Sequence, residues 1–195
     1  MSYDLLILGG GPAGYLAAER AGKAGLKVAL CEERALGGVC LNEGCIPTKT
    51  LLYSAKIHDG ARNGGKYGVT AEGLAIDHAA VIKRKDKVVR TLVAGVKAQM
   101  RASQVEVVNG RGVITGQGEE GITVQVNDQA LTGKHLLIAT GSSPALPPIP
   151  GLHEGLEAGF VLTSREALAK SDLPPSLVVI GGGVIGLELA SYYNS

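Results

Sequence analysis

The chain has 195 residues, a formal net charge of +1, 45% hydrophobic residues and 29 glycines, about twice the usual glycine share of roughly 7%. That apolar content excludes disorder as the main state, and the near-zero charge leaves no field to draw in nucleic acid or an anionic membrane. No apolar run approaches the ~18 residues that span a bilayer, and three cysteines exclude a disulfide-built secreted scaffold.

The opening MSYDLLILGGG has neither a basic leader nor a cleavage site, so a cytoplasmic protein is expected. Asp4 to Leu8 is a short apolar run that stops at Gly9-Gly10-Gly11-Pro12, and Ala13 to Ala24 is rich in helix formers. Strand, tight turn and helix are predicted there. Lys27 to Cys31 reads as a second strand closing on Glu32, so residues 4–32 form one βαβ unit. From Gly37 a cysteine-containing loop leads into a helix predicted over 46–58, and a polar, glycine-rich connection follows over 60–73. Residues 77–103 are the longest helical stretch, with Asp77 as N-cap and Val81, Val88, Leu92, Val96 and Met100 as its apolar stripe. Its basic cluster, Lys83, Arg84, Lys85, Lys87 and Arg90, lacks aromatic residues and reads as the wet face. Strands are predicted over 105–108, 113–115, 122–126 and 136–139, and the prolines of 142–151 mark a linker. The opening motif then returns: an apolar run over 177–180, Gly181-Gly182-Gly183, and a helix over 184–193.

Gly9, Gly11 and Gly14 have the GxGxxG spacing between a strand and a helix. The first glycine permits the turn, the second lets backbone approach a pyrophosphate, and the third lets helix and strand pack closely. Glu32 stands where a carboxylate accepts hydrogen bonds from ribose hydroxyls. Gly181, Gly183 and Gly186 repeat the spacing, so two dinucleotide sites in separate domains are expected, the second incomplete because a βαβ unit needs ~30 residues. Cys40 and Cys45 are separated by four residues inside GGVCLNEGCIPTKTLL. A zinc site lacks further ligands at suitable spacing; a structural disulfide, two inert thiols and a redox pair stay open. The neighbouring dinucleotide fold favours the redox pair. Lys49 follows Cys45 by one helical turn, and Cys31 reads as a small core residue.

The two fingerprints, the GG-x-C-x4-C-x-P-x-K loop between them and LLIATGSSP over 136–144, in this order, resemble the pyridine nucleotide-disulfide oxidoreductases across nearly the whole chain. The wording CLNEGCIPTKTLL is most similar to the branch that oxidises dihydrolipoamide. The resemblance implies an α/β fold: a Rossmann-like FAD-binding domain over 1–145, with three layers, a parallel sheet and a small β-meander. A linker and the start of a second domain over 146–176, and an incomplete Rossmann-like NAD-binding domain over 177–195, would follow. It implies that Gly9, Gly11, Gly14 and Glu32 hold the adenosine and pyrophosphate of FAD, with Gly112 near the adenine and Thr140, Gly141 and Ser142 at the edge of the flavin domain. Cys45 would face the flavin, Cys40 would exchange with substrate, Lys49 would pair with Glu188, and Gly181, Gly183 and Gly186 would bind NAD. The implied reaction passes electrons from dihydrolipoamide through a Cys40–Cys45 disulfide to FAD and then NAD. Implied partners are a lipoyl carrier domain of a 2-oxoacid dehydrogenase or glycine cleavage complex and a second copy in a homodimer, with no nucleic acid, membrane or metal. The short length predicts that the general base and the dimer interface lie beyond Ser195 and that these residues alone are inactive, binding FAD weakly or not at all. An NADPH-dependent disulfide or mercuric-ion reductase and a non-catalytic dinucleotide-binding module are the alternatives.

Overall fold

The computed structural model describes residues 2–195. In chain order the elements are β1 (Ser2–Leu8), α1 (Pro12–Lys23), β2 (Val28–Glu32), α2 (Gly38–Asn42), α3 (Cys45–Arg62), a 3-10 turn (Gly64–Tyr67), α4 (His78–Ala102), β3 (Glu106–Asn109), β4 (Gly112–Gly118), β5 (Gly121–Val126), β6 (Gln129–Ile138), α5 (Leu152–Glu157), α6 (Ser164–Ala169) and α7 (Val184–Asn194). They form two compact units, one ending at Asn42 and resuming over Arg90–Ser142, the other made of Glu43–Val89 and Ser143–Ser195.

The first unit is built on a six-stranded sheet in the order β3-β2-β1-β6-β5-β4. β1 lies parallel between β2 and β6, with Leu6 opposite Ala29 on one side and Leu136 on the other; β2 runs parallel to β3, and β4-β5-β6 form an antiparallel meander. Consecutive apolar residues suit a strand covered on both faces, and Leu6, Ile7 and Leu8 are all buried. The core companions of Leu6 and Leu8 include Ala29, Cys31, Val124, Val126 and Leu131. Burial pushes the Cys31 thiol up to about 11, which marks it as a packing residue. Tyr3 is buried as well, and its hydroxyl donates to Glu106 Oε2 at 2.7 Å. Gly22 brings α1 against the chain after α4: a Cβ there would lie 2.1 Å from the Ser103 carbonyl oxygen.

β6 is longer than its apolar end suggests. The predicted strand at 136–139 corresponds to the half paired with β1, whereas residues 129–133 pair with β5 after a turn in which Asn127 adopts φ 51°. The polar composition of this half hides it from a search for apolar runs.

The second unit packs α3, the first half of α4, α6 and α7 around Leu51, Ala55, Ile82, Ala167, Leu168, Leu189 and Tyr192. Asp77 caps α4 as predicted, its Oδ1 accepting from Ala80 N at 2.9 Å. His78 is buried between Tyr192 Oη at 2.7 Å from Nδ1 and the Lys170 carbonyl at 2.9 Å from Nε2. The carbonyl can only accept, so Nε2 carries a proton and donates to it. Two expectations for α4 fail. Leu92 is 40% exposed instead of joining an unbroken stripe, and Lys85 is buried beside Asp86 at 2.7 Å instead of lying on the wet face. The helix serves two cores, Ile82 in one and Val96 and Met100 in the other unit, so one stripe does not run its length. Residues 177–180 are not part of any strand among the described residues, and Val178 and Ile180 are exposed. An apolar run becomes a strand only where a neighbour completes its ladder.

Candidate functional site

In the first unit, β1 delivers the chain into the turn Gly9–Gly11 and α1 leaves it with Pro12 in its first turn. Gly9 has φ +101°, and a Cβ there would meet the Ala139 carbonyl oxygen at 2.3 Å. A Cβ on Gly14 would stand 1.8 Å from Gly9 O, so the third glycine exists to let helix and turn touch. Gly11 differs: the only atom near its Cβ position is Gly38 Cα at 3.8 Å, leaving open space over the helix end. No side chain caps α1, and its first turn holds no acid. Its first N–H groups therefore lack intrahelical acceptors and face an uncrowded surface, which fits a phosphate.

Glu32, at the end of β2, closes this turn. Its Oε2 accepts from Gly10 N at 2.7 Å and its Oε1 from Arg34 N at 2.7 Å. The carboxylate thus stands beside the glycine turn, with its oxygens drawn to backbone donors. Gly37 N donates to Gly10 O at 2.8 Å, and a Cβ on Gly38 would lie 2.6 Å from Gly11 Cα. The segment leading to Cys40 therefore packs along one side of the turn, a role the residue pattern does not announce. Gly112 is a contact glycine, where a Cβ would reach Leu8 Cδ2 at 2.5 Å; this places it at the top of β1. Thr140, Gly141 and Ser142 follow β6 in exposed, non-repetitive backbone.

Cys40 is half-buried in α2. In the second unit, Cys45 is exposed and is the first residue of α3, whose N-cap, Gly44, brings no side-chain acceptor. Thr48 Oγ1 donates to the Gly44 carbonyl at 2.6 Å, fixing the peptide that leads into Cys45. One turn along, the Lys49 ammonium is paired with Glu188 Oε1 on α7. Gly181 has φ +105° and Gly183 is the N-cap of α7. A Cβ on Gly186 would sit 2.9 Å from Gly181 O, so the second fingerprint repeats the first in a looser form.

Sequence reasoning missed Arg165. It lies in the first turn of α6, whose Thr163 and Glu166 form a reciprocal capping box: Glu166 Oε2 accepts from Thr163 N at 2.7 Å and from its hydroxyl. That hydroxyl bond holds the Glu166 carboxyl below the usual carboxylate range. Arg165 Nε lies 2.5 Å from Glu43 Oε2, within the C-L-N-E-G-C loop itself. The Nε–H is not aligned on the oxygen, so the contact is one of charge. The sequence Thr-Ser-Arg-Glu announces the capping box, but nothing local announces its pairing with residue 43. Among the described residues no group of three or more His, Cys, Asp or Glu could hold a metal, and no helix is long and apolar enough to cross a membrane.

Known proteins resemble this chain in sequence and in fold. A dihydrolipoyl dehydrogenase of Acholeplasma laidlawii is 46% identical over 194 residues, covering 99% of this chain and 56% of the relative. That of Mycoplasma genitalium is 46% identical over 196 residues, covering 100% and 42%. The solved HOCl-induced flavoprotein disulfide reductase RclA from Escherichia coli superposes with a TM-score of 0.80 at 32% identity, covering 98% of this chain and 39% of that one. The chain therefore spans about half the length, or less, of these proteins. The family model described as pyridine nucleotide-disulphide oxidoreductase matches residues 3–195, and the chain belongs to that family.

Proposed function

We propose that this chain carries the flavin- and thiol-bearing part of a dihydrolipoyl dehydrogenase, which oxidises dihydrolipoamide through Cys40 and Cys45 and delivers the electrons to FAD and then NAD. The observation that carries the reading is Cys45 at the uncapped start of α3 with the Lys49–Glu188 pair one turn on. A thiolate at a helix N-terminus is a better leaving group than an ordinary thiol. A substrate thiolate attacks Cys40 Sγ of the oxidised pair, the S–S bond breaks, and Cys45 departs as thiolate. The second substrate thiol then attacks its partner sulfur in the mixed disulfide, releasing cyclic disulfide and the Cys40 thiol. FAD, when bound, would supply the two-electron redox chemistry that links this dithiol to a nicotinamide.

Gly9, Gly11 and Gly14 would hold the FAD pyrophosphate, Glu32 its ribose, and Gly112, Thr140, Gly141 and Ser142 its surroundings. Gly181, Gly183 and Gly186 would receive the NAD pyrophosphate. A lipoyl carrier domain, a homodimer and a cytoplasmic setting belong to the same proposal. Similarity to RclA favours a second reading, reduction of a disulfide by the same cysteines.

Thiol counting tests the exchange step without requiring turnover. The chain is oxidised, treated with dihydrolipoamide, and its thiols are counted by mass tagging. Both Cys40 and Cys45 should return as thiols, and Cys40→Ser should abolish the return of Cys45. No return above that of the Cys40→Ser control would overturn the proposal.

A further inference from the structure

A strand at the edge of a sheet leaves part of its N–H and C=O groups without a ladder partner, and native edges are shielded by shortness, charge, proline or a cover. The six-stranded sheet ends in β3 on one side and β4 on the other. β3 is the shielded kind: it has four residues and opens on Glu106, whose carboxylate accepts from the Tyr3 hydroxyl. β4 is the opposite. It has seven residues, GVITGQG, without a charge or a proline, and every one from Val113 to Gly118 is exposed. Val113 and Ile114 expose 52% and 48% of their surface. A bulge between Ile114 and Gly116 bends the strand but leaves its outer side uncovered.

The charges lie at the ends of this strand and differ in sign. Arg111 precedes it, and Glu119 with Glu120 makes the connection to β5; all three are exposed. Among the described residues none of the three takes part in an ion pair. A second copy laid antiparallel against β4 sets the arginine of each chain beside the glutamates of the other, twice by symmetry, whereas a parallel copy sets like charge against like.

We propose that β4 is a self-association surface, on which a second copy of this chain pairs antiparallel through residues 112–118 about a two-fold axis, with Arg111 of each chain against Glu119 and Glu120 of the other. Backbone hydrogen bonds hold the two edges together, and the end charges set their direction. A contact one strand wide is weak and reversible. It stands apart from the thiol chemistry and from the homodimer proposed above, so each can fail alone.

The test is sedimentation equilibrium of the full chain from about 10 μM to about 1 mM, the range in which so small an interface associates. The parent should show a monomer–dimer equilibrium. Arg111→Glu should weaken it on the order of tenfold, and Glu119→Lys with Glu120→Lys should do the same, because both symmetric contacts become repulsive. An equimolar mixture of these two variants should associate like the parent, since every contact across the axis then joins opposite charges. One chain carrying all three changes should do so too, which a parallel pairing would not allow. Exposed substitutions of this kind shift stability little, and melting by circular dichroism checks that each variant is folded. A parent that stays monomeric, association indifferent to the charges at 111, 119 and 120, or failure of either the mixture or the triple variant to recover would overturn the proposal.

Discussion

Two glycines of the first fingerprint, three residues apart, should respond oppositely to the same added methyl. At Gly14 the new Cβ would lie 1.8 Å from the Gly9 carbonyl oxygen and 3.0 Å from its carbon, and both are backbone atoms that cannot swing aside. Relief requires α1 to move off the turn by more than an ångström. Such overpacking costs about 1–3 kcal/mol or more, against which the better helix propensity of alanine returns at most about 1 kcal/mol. A net loss of about 2 kcal/mol corresponds to a fall in Tm of roughly 5 °C or more. At Gly11 the methyl meets nothing closer than Gly38 Cα at 3.8 Å, and φ is −71°, a value any residue adopts. Gly11→Ala should therefore melt with the parent and instead obstruct the open surface over the helix end. The assays are circular dichroism melts for both variants and titration of the parent and Gly11→Ala with FAD, followed by flavin fluorescence. An unshifted Tm for Gly14→Ala would refute the packing argument. Unchanged FAD binding by Gly11→Ala would refute the assignment of that surface to phosphate.

Gly22→Ala should destabilise the first unit by about 1–3 kcal/mol, because its Cβ would fall 2.1 Å from Ser103 O; a urea titration with an unmoved midpoint would exclude this. High pH should unfold both units over one window. Burial raises the Tyr3 hydroxyl to about 12, with Glu106 adding to it, and burial raises Tyr192 to about 12 as well, from an ordinary 10.0. A folded-state value above the unfolded one means that the stabilisation is intact below pH 10 and is lost as pH rises toward about 12. Each tyrosine contributes on the order of 2–3 kcal/mol to that loss. Denaturant midpoints that stay level from pH 10 to 12 would contradict it.

The parts of this molecule legible in its sequence are those where one local rule acts alone. Leu5 to Leu8 must be a covered strand, Gly9 must turn, and Asp77 must cap, because each depends on its own neighbourhood. The Lys49–Glu188 pairing came only from a family resemblance, since 139 residues separate the partners. Where a residue answers to two masters the reading failed: α4 supplies two cores, so Leu92 falls out of its stripe, and the first half of β6 is chosen by β5 and not by hydrophobicity. Lys85 shows that a lysine stem buries well when an aspartate sits beside its ammonium. Arg165 was invisible for the same reason as Glu188, because an ion pair between distant segments leaves no spacing to detect.

The position of β1 has a consequence for how the molecule is made. Its two sheet neighbours are unequal in synthesis: β2 is complete by Glu32, while β6 ends at Ile138, and the carbonyl that packs on Gly9 belongs to the next residue, Ala139. A nascent chain therefore emerges from the ribosome with its first strand half-paired, and one apolar edge of Leu5 to Leu8 stays open while more than a hundred further residues are translated. The glycine turn reaches its final shape only after that delay, and the interval before it is when chaperones have most to shield.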